Sequence, residues 1–119
     1  MARRSKAKTG TPPTASSQAL VLPAEITIYT VGELHPQWLA WLGQLSPASP
    51  PGEVAEVQAA AVDQVDAAGL QLLLSLQRAL AALGRRCWLR DASAVLGAGC
   101  AALGLSDWLA QQTAAGQTA

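Results

Sequence analysis

The sequence predicts a small α/β domain. Three observations lead there. An apolar run from Glu53 to Val62 is followed by an acidic turn at Asp66 and a leucine-rich helical stretch to Leu83, the strand–turn–helix order of α/β domains. A glycine at position 84 then introduces Arg85-Arg86-Cys87-Trp88-Leu89-Arg90, where Cys87 and Leu89 alternate with Trp88 and Arg90 as on a strand. Upstream, Ala19–Leu22 and Ile26–Tyr29 read as short extended runs just before a helix start at Thr30.

Taken in order, residues 1–17 are polar, basic and rich in Pro, Ser and Thr, and are expected to be a disordered tail. The domain is expected over 18–110. Pro23 interrupts the first extended run and suits an edge, because proline cannot donate to a ladder. Thr30-Val31-Gly32-Glu33 has the spacing of a capping box. Behind it Leu34, Trp38, Trp41, Leu42 and Leu45 fall on one helical face and are expected in the core. Pro36 predicts either an irregular first turn with His35 capping the main helix, or a bend. Ser46–Gly52 reads as a loop. Val54 to about Ala60 is expected to be a strand buried on both faces. Asp66 is a good N-cap, with Gly69 in the first turn. In the helix that follows, Leu72, Leu76, Leu80 and Leu83 form the expected core face, and Leu70, Leu73 and Leu74 spread around the remainder, a spread that fits either deep burial or a surface that partly faces a partner. Gly84 is the expected C-cap. Ser93 caps a helix reaching about Leu103, Gly104 stops it, and a last short helix starts near Ser106. The chain from Gln111 to Ala119 is expected to fray.

Composition narrows the function. The chain has 119 residues, half of them hydrophobic, and only 13% are charged, against about 25% in an average soluble domain. Such a chain leaves apolar surface for a partner. Arg3, Arg4, Lys6 and Lys8 are half of the eight basic residues, whereas all eight acids lie from Glu25 onward. The body therefore carries a net charge of about −4, which argues against a nucleic-acid-binding domain. No apolar run reaches the length of a membrane span, no secretory leader is recognisable, and a cytoplasmic protein is expected. His35 is the single histidine, and Cys87 and Cys100 lack a CxxC spacing, so neither a metal site nor a disulfide is expected. No serine or cysteine has a base in signature spacing, and no glycine-rich phosphate loop is present. Asp63 and Asp66 are read as a solvated charge and a cap. The expectation is a binding module without cofactor or enzymatic activity.

From about Ala19 to Leu109 the chain resembles a STAS domain, the fold of anti-sigma factor antagonists and of the cytoplasmic tails of sulfate transporters. The matching stretches are Ala24-Glu25-Ile26-Thr27-Ile28-Tyr29-Thr30 and Val65-Asp66-Ala67-Ala68-Gly69-Leu70-Gln71-Leu72-Leu73-Leu74, with weaker matches at Ser93–Leu96 and Leu103–Leu105. The resemblance implies a small mixed β-sheet of about four strands with helices packed mainly on one side, and docking to a protein partner through the Asp66–Gly69 turn and the helix behind it, with Asp66, Ala67, Ala68, Gly69, Leu70, Leu73 and Thr27 as partner-binding residues. In antagonists a serine just before the glycine is phosphorylated to block binding. Here that position is Ala68, so the phospho-acceptor is lost. Thr27 stands where an acid is common. The run from Val65 to Leu74 is also similar to the small STAS subunit of the bacterial lipid-asymmetry ABC transporter (MlaB-like), with Ala67 in place of its threonine. Single-domain STAS proteins of chemotaxis gene clusters are similar as well. The implied partner is thus an anti-sigma kinase-like protein, a chemotaxis protein or an ABC ATPase, with a homodimer also open. A small-ligand domain for nucleotide or lipid is the reading from a different class.

Overall fold

The computed structural model describes residues 19–48 and 51–117. The basic tail expected over 1–17 lies outside the described residues. The elements are β1 (Leu20–Val21), β2 (Glu25–Ile26), α1 (Val31–Gly43), β3 (Glu53–Gln58), β4 (Gln64–Val65), α2 (Ala67–Ala82), β5 (Arg85–Arg90), α3 (Ala94–Ala102), α4 (Ser106–Ala114) and a 3-10 turn (Ala115–Gln117).

The chain is α/β, with a difference in the sheet. Instead of one mixed sheet of about four strands, there is a three-stranded sheet in the order β1–β3–β5 and a two-stranded one of β2 and β4. Every described pairing is parallel. The physical reason is the connections. Each pair is joined through a helix or a long crossover, and no tight hairpin turn is available to reverse a strand. Pro23 falls at the break where the chain leaves the first sheet after β1 and joins the second at β2.

The central strand β3 has Ala55, Glu56 and Val57 all buried, as expected for a strand covered on both faces. Its register with β5 runs from Glu53 opposite Arg85 to Gln58 opposite Arg90. Cys87 and Leu89 point into the core with Ala55 and Val57, together with Leu70, Leu73, Leu76 and Leu80 of α2 and Leu34 and Trp38 of α1. Each fully buried leucine contributes about 1.5–3 kcal/mol relative to exposure.

The core face of α2 is rotated from the expected one. Gly69, Leu70, Leu73, Leu76 and Leu80 are buried, whereas Leu72, Leu74 and Leu83 are half-buried. With leucine at so many positions the helix has no polar stripe to fix its phase, and the phase is set by what Gly69 can approach. Gly84 does end α2, at a left-handed φ of 75°, and Gly104 ends α3 in the same way at 74°.

The C-terminal segment corrects a further expectation. Residues 111–117 continue α4 and add the 3-10 turn rather than fraying, with Gln112 and Ala115 buried. The reason is steric fit. Trp88, on the face of β5 opposite to Cys87 and Leu89, lies so close to Gly116 that a methyl group there would overlap its ring. Small residues let the chain lie flat on that ring. Arg90 adds its guanidinium 5.4 Å from the centre of the Trp88 ring and 2.9 Å from the buried carboxylate of Glu56.

Candidate functional site

The site grows from a turn and a helix start that share one carboxylate. After β2 the chain turns at Thr27–Thr30. The Thr30 and Val31 amides each donate to the Thr27 carbonyl at 2.9 Å. The Thr30 hydroxyl accepts from the Thr27 amide at 3.0 Å and lies 3.1 Å from the Glu25 carbonyl, to which it donates. Thr30 therefore holds the turn and makes no side-chain cap on α1, so the expected capping box is absent. The Thr27 hydroxyl donates to Glu25 Oε2 at 2.7 Å and accepts from the Tyr29 amide at 3.2 Å. Pro36 lies inside α1, which continues through it as one helix, and His35 is exposed.

Asp66 ties this turn to α2. Its backbone is extended, and Oδ1 accepts from the Gly69 amide at 3.0 Å, the N-cap that the sequence predicts. Its second oxygen, Oδ2, accepts from the Ile28 amide at 3.0 Å across 38 residues of sequence. These amides, Ile28 first and Gly69 next, hold the Asp66 carboxyl below its ordinary value of 3.8, because both bonds favour the ionised form. One aspartate thus fixes two backbone segments that lie side by side.

The consequence is a rigid edge with apolar side chains left in the open. Ile28 is 60% exposed and Tyr29 87%. Ala67 is exposed and Ala68 half-exposed beside them. A groove of about 430 Å³ follows the same edge between the starts of α1 and α2, lined among others by Val31, His35, Ala68, Gln71, Leu72 and Ser75. It continues toward Leu39 and Leu76 as a narrower cleft of about 50 Å³.

The residues expected to meet a partner divide into two sets. Asp66, Ala67 and Ala68 are brought together at this edge. Gly69, Leu70, Leu73 and Thr27 are buried, and their part is structural. Leu70 and Leu73 are each 1% exposed, so a partner cannot reach them. A methyl group on Gly69 would overlap the Ile26 carbonyl oxygen, so this glycine is what allows α2 to sit against β2. Thr27 orders the turn from inside. Ile28 and Tyr29 were not among the expected site residues. The signal for them is in the sequence: two large residues, Ile28 and Tyr29, stand between the strand Glu25–Ile26 and the helix start at Thr30, where a polar turn is normal.

No group of three or more His, Cys, Asp or Glu side chains capable of holding a metal occurs among the described residues. Burial raises the Cys87 thiol to about 12 and also raises that of Cys100, so neither is a reactive thiolate near neutral pH. No described helix is long and apolar enough to cross a membrane. Compared with known proteins, the chain matches no protein-family model, no curated protein and no solved structure.

Proposed function

We propose that this chain is a non-enzymatic, STAS-type regulatory module of the cytoplasm that docks a protein partner on the edge formed by Ile28, Tyr29, Ala67 and Ala68. The observation that carries the reading is the combination of exposure and rigidity at that edge. Large apolar side chains stand in water on a backbone held by Asp66, and a preorganised apolar surface binds without first being ordered. Both Asp66 oxygens are engaged by backbone amides, which leaves the carboxylate a structural group rather than a catalytic base. The sequence resemblance supplies the class of partner: an anti-sigma kinase-like protein, a chemotaxis protein or the ATPase of a lipid-transporting ABC system. Because position 68 is alanine, docking is constitutive with respect to phosphorylation there.

The test is affinity capture from the source cells with wild type, Tyr29→Ala and Ala68→Asp, each first shown to be folded by circular dichroism. Recovery of a protein of one of these classes by wild type alone supports the reading and names the class. Equal recovery by all three overturns it. The groove between α1 and α2 favours a second reading, a small ligand, lipid or nucleotide, seated against Leu72 and Val31. A lipid or nucleotide that raises the melting temperature of wild type, and not of Leu72→Trp, would support that reading instead.

A further inference from the structure

At the carboxyl end of β5 lies a cavity of about 440 Å³, lined among others by Trp88, Arg90, Asp91, Ala92, Thr113 and Ala114. Its size is that of small-molecule sites, about 300–1,000 Å³. Its place fits the rule that open α/β sheets bind ligands outside the carboxyl ends of their strands. It shares no residue with the groove between α1 and α2.

Two features mark its polar wall. The first is a guanidinium held in place. Arg90 lies 5.4 Å from the Trp88 ring centre, its Nη1 is 2.9 Å from Glu56 Oε2, and its Nε pairs with Asp91 Oδ2 at 3.7 Å. The Glu56 side chain is 3% exposed and that of Arg90 46%, so the anchor is interior while the cation reaches the cavity. This packing closes the ring. What stays open is the outer edge of the guanidinium, at Nη2. The second feature is the backbone of Asp91, at a left-handed φ of 57°. The other left-handed positions among the described residues, 52, 84 and 104, are all glycine. Only at 91 does a side chain stand in this conformation, and it is an exposed carboxylate on the cavity wall. Side chains kept at such backbone positions cluster at ligand clamps.

Charge then selects the ligand. Two carboxylates, Glu56 and Asp91, stand beside one guanidinium, so the site repels a phosphate or a dicarboxylate. A simple cation would lie against Arg90. A molecule carrying one carboxylate and one ammonium satisfies both groups. We propose that this cavity binds a free α-amino acid. Its carboxylate takes Arg90 Nη2, and its ammonium donates to the Asp91 carboxylate. The Thr113 hydroxyl donates to the Ala110 carbonyl at 3.1 Å, so it meets the ammonium as an acceptor. The ligand's side chain lies along Trp88 and Ala114. None of these residues belongs to the proposed docking edge, so either proposal can fail alone.

The experiment records amide spectra of the isotope-labelled full chain with each standard amino acid at about 10 mM, ten times a dissociation constant of about 1 mM. At least one is expected to shift the Asp91, Ala92, Thr113 and Ala114 signals to saturation. Its N-acetyl and carboxamide derivatives each lack one charge and should bind at least about tenfold more weakly. Asp91→Gly relieves the backbone and leaves the Arg90–Glu56 pair in place. It should remain folded by circular dichroism and also bind at least about tenfold more weakly. Shifts that are absent, or that never saturate, would overturn the proposal. So would derivatives or an Asp91→Gly chain that bind as tightly as the parent pair. Shifts confined to His35, Gln71 and Leu72 would seat the ligand between α1 and α2 and equally overturn this site.

Discussion

Two aromatic rings in this molecule are treated in opposite ways. Trp88 has Arg90 over its face, Glu56 behind the arginine, and the small residues of the C-terminal turn laid against it. Tyr29 stands on an ordered turn tied to the Asp66 carboxylate through the Ile28 amide, and it is 87% exposed. The first region is finished as structure. The second is left open. An aromatic side chain on an ordered turn loses little conformational entropy when it is covered, because only two χ angles are fixed.

The comparison can be broken from below. Gly69 and Leu70 form the floor of the open edge, and their replacement should have the largest effect. Gly69→Ala forces α2 away from the Ile26 carbonyl, and Leu70→Ala leaves a cavity. Each should cost about 3 kcal/mol in denaturant unfolding. A loss below about 1 kcal/mol at either position would mean that the floor is not core. At the closed region, Trp88→Ala should cost about 2 kcal/mol, less than a fully buried tryptophan because the ring is partly exposed.

A smaller effect sharpens the role of Asp66, and its sign follows from its bonds. Its carboxyl is held below 3.8 in the folded chain, so folding favours the ionised form. The stabilisation is fully present above the unfolded value and is lost as pH falls through the lower folded one. Melting temperatures of wild type and Asp66→Asn should therefore differ at neutral pH and converge in acid below that range. A difference independent of pH would contradict the two carboxylate bonds. The smallest effect on stability belongs to the open ring itself. Tyr29→Ala should change unfolding free energy by less than about 0.5 kcal/mol, because its side chain is in water.

How much of this was legible in the sequence depended on whether a local signal was present. Strand β5 could be read to its boundaries because Gly84 punctuates it and Cys87 and Leu89 alternate with charged and aromatic neighbours. The Asp66 cap and the Ser93 cap, where Oγ accepts from the Leu96 amide at 3.1 Å, could be read from residue type and position alone. The phase of α2 could not. Leucines on all sides carry no period, and the approach of Gly69 to β2 is a tertiary fact. For the same reason the pattern leaves open whether Leu70 and Leu73 are buried or face a partner, the resemblance makes them partner-binding, and they are found in the core. The Asp66–Ile28 bond joins residues 38 apart in sequence, which local pattern cannot reveal. Thr30 was read as a cap because the spacing to Glu33 fits, but its hydroxyl is engaged by the turn before it. The helical 111–114 stretch and its 3-10 continuation looked frayed because Gln111-Gln112-Thr113 is polar. What orders them is the smallness of Ala115 and Gly116 against Trp88.

The central claim is that the Ile28–Tyr29–Ala68 edge is the surface that meets a protein partner. The most direct measurement is the dissociation constant of the captured partner for wild type, Ala68→Asp and Val95→Asp. Val95 is an exposed apolar residue on α3, outside the turn and the helix start that form the edge. The account predicts that Ala68→Asp weakens binding at least about tenfold, equivalent to about 1.4 kcal/mol, with Val95→Asp unchanged. Equal affinity for wild type and Ala68→Asp, or a loss confined to Val95→Asp, would contradict it.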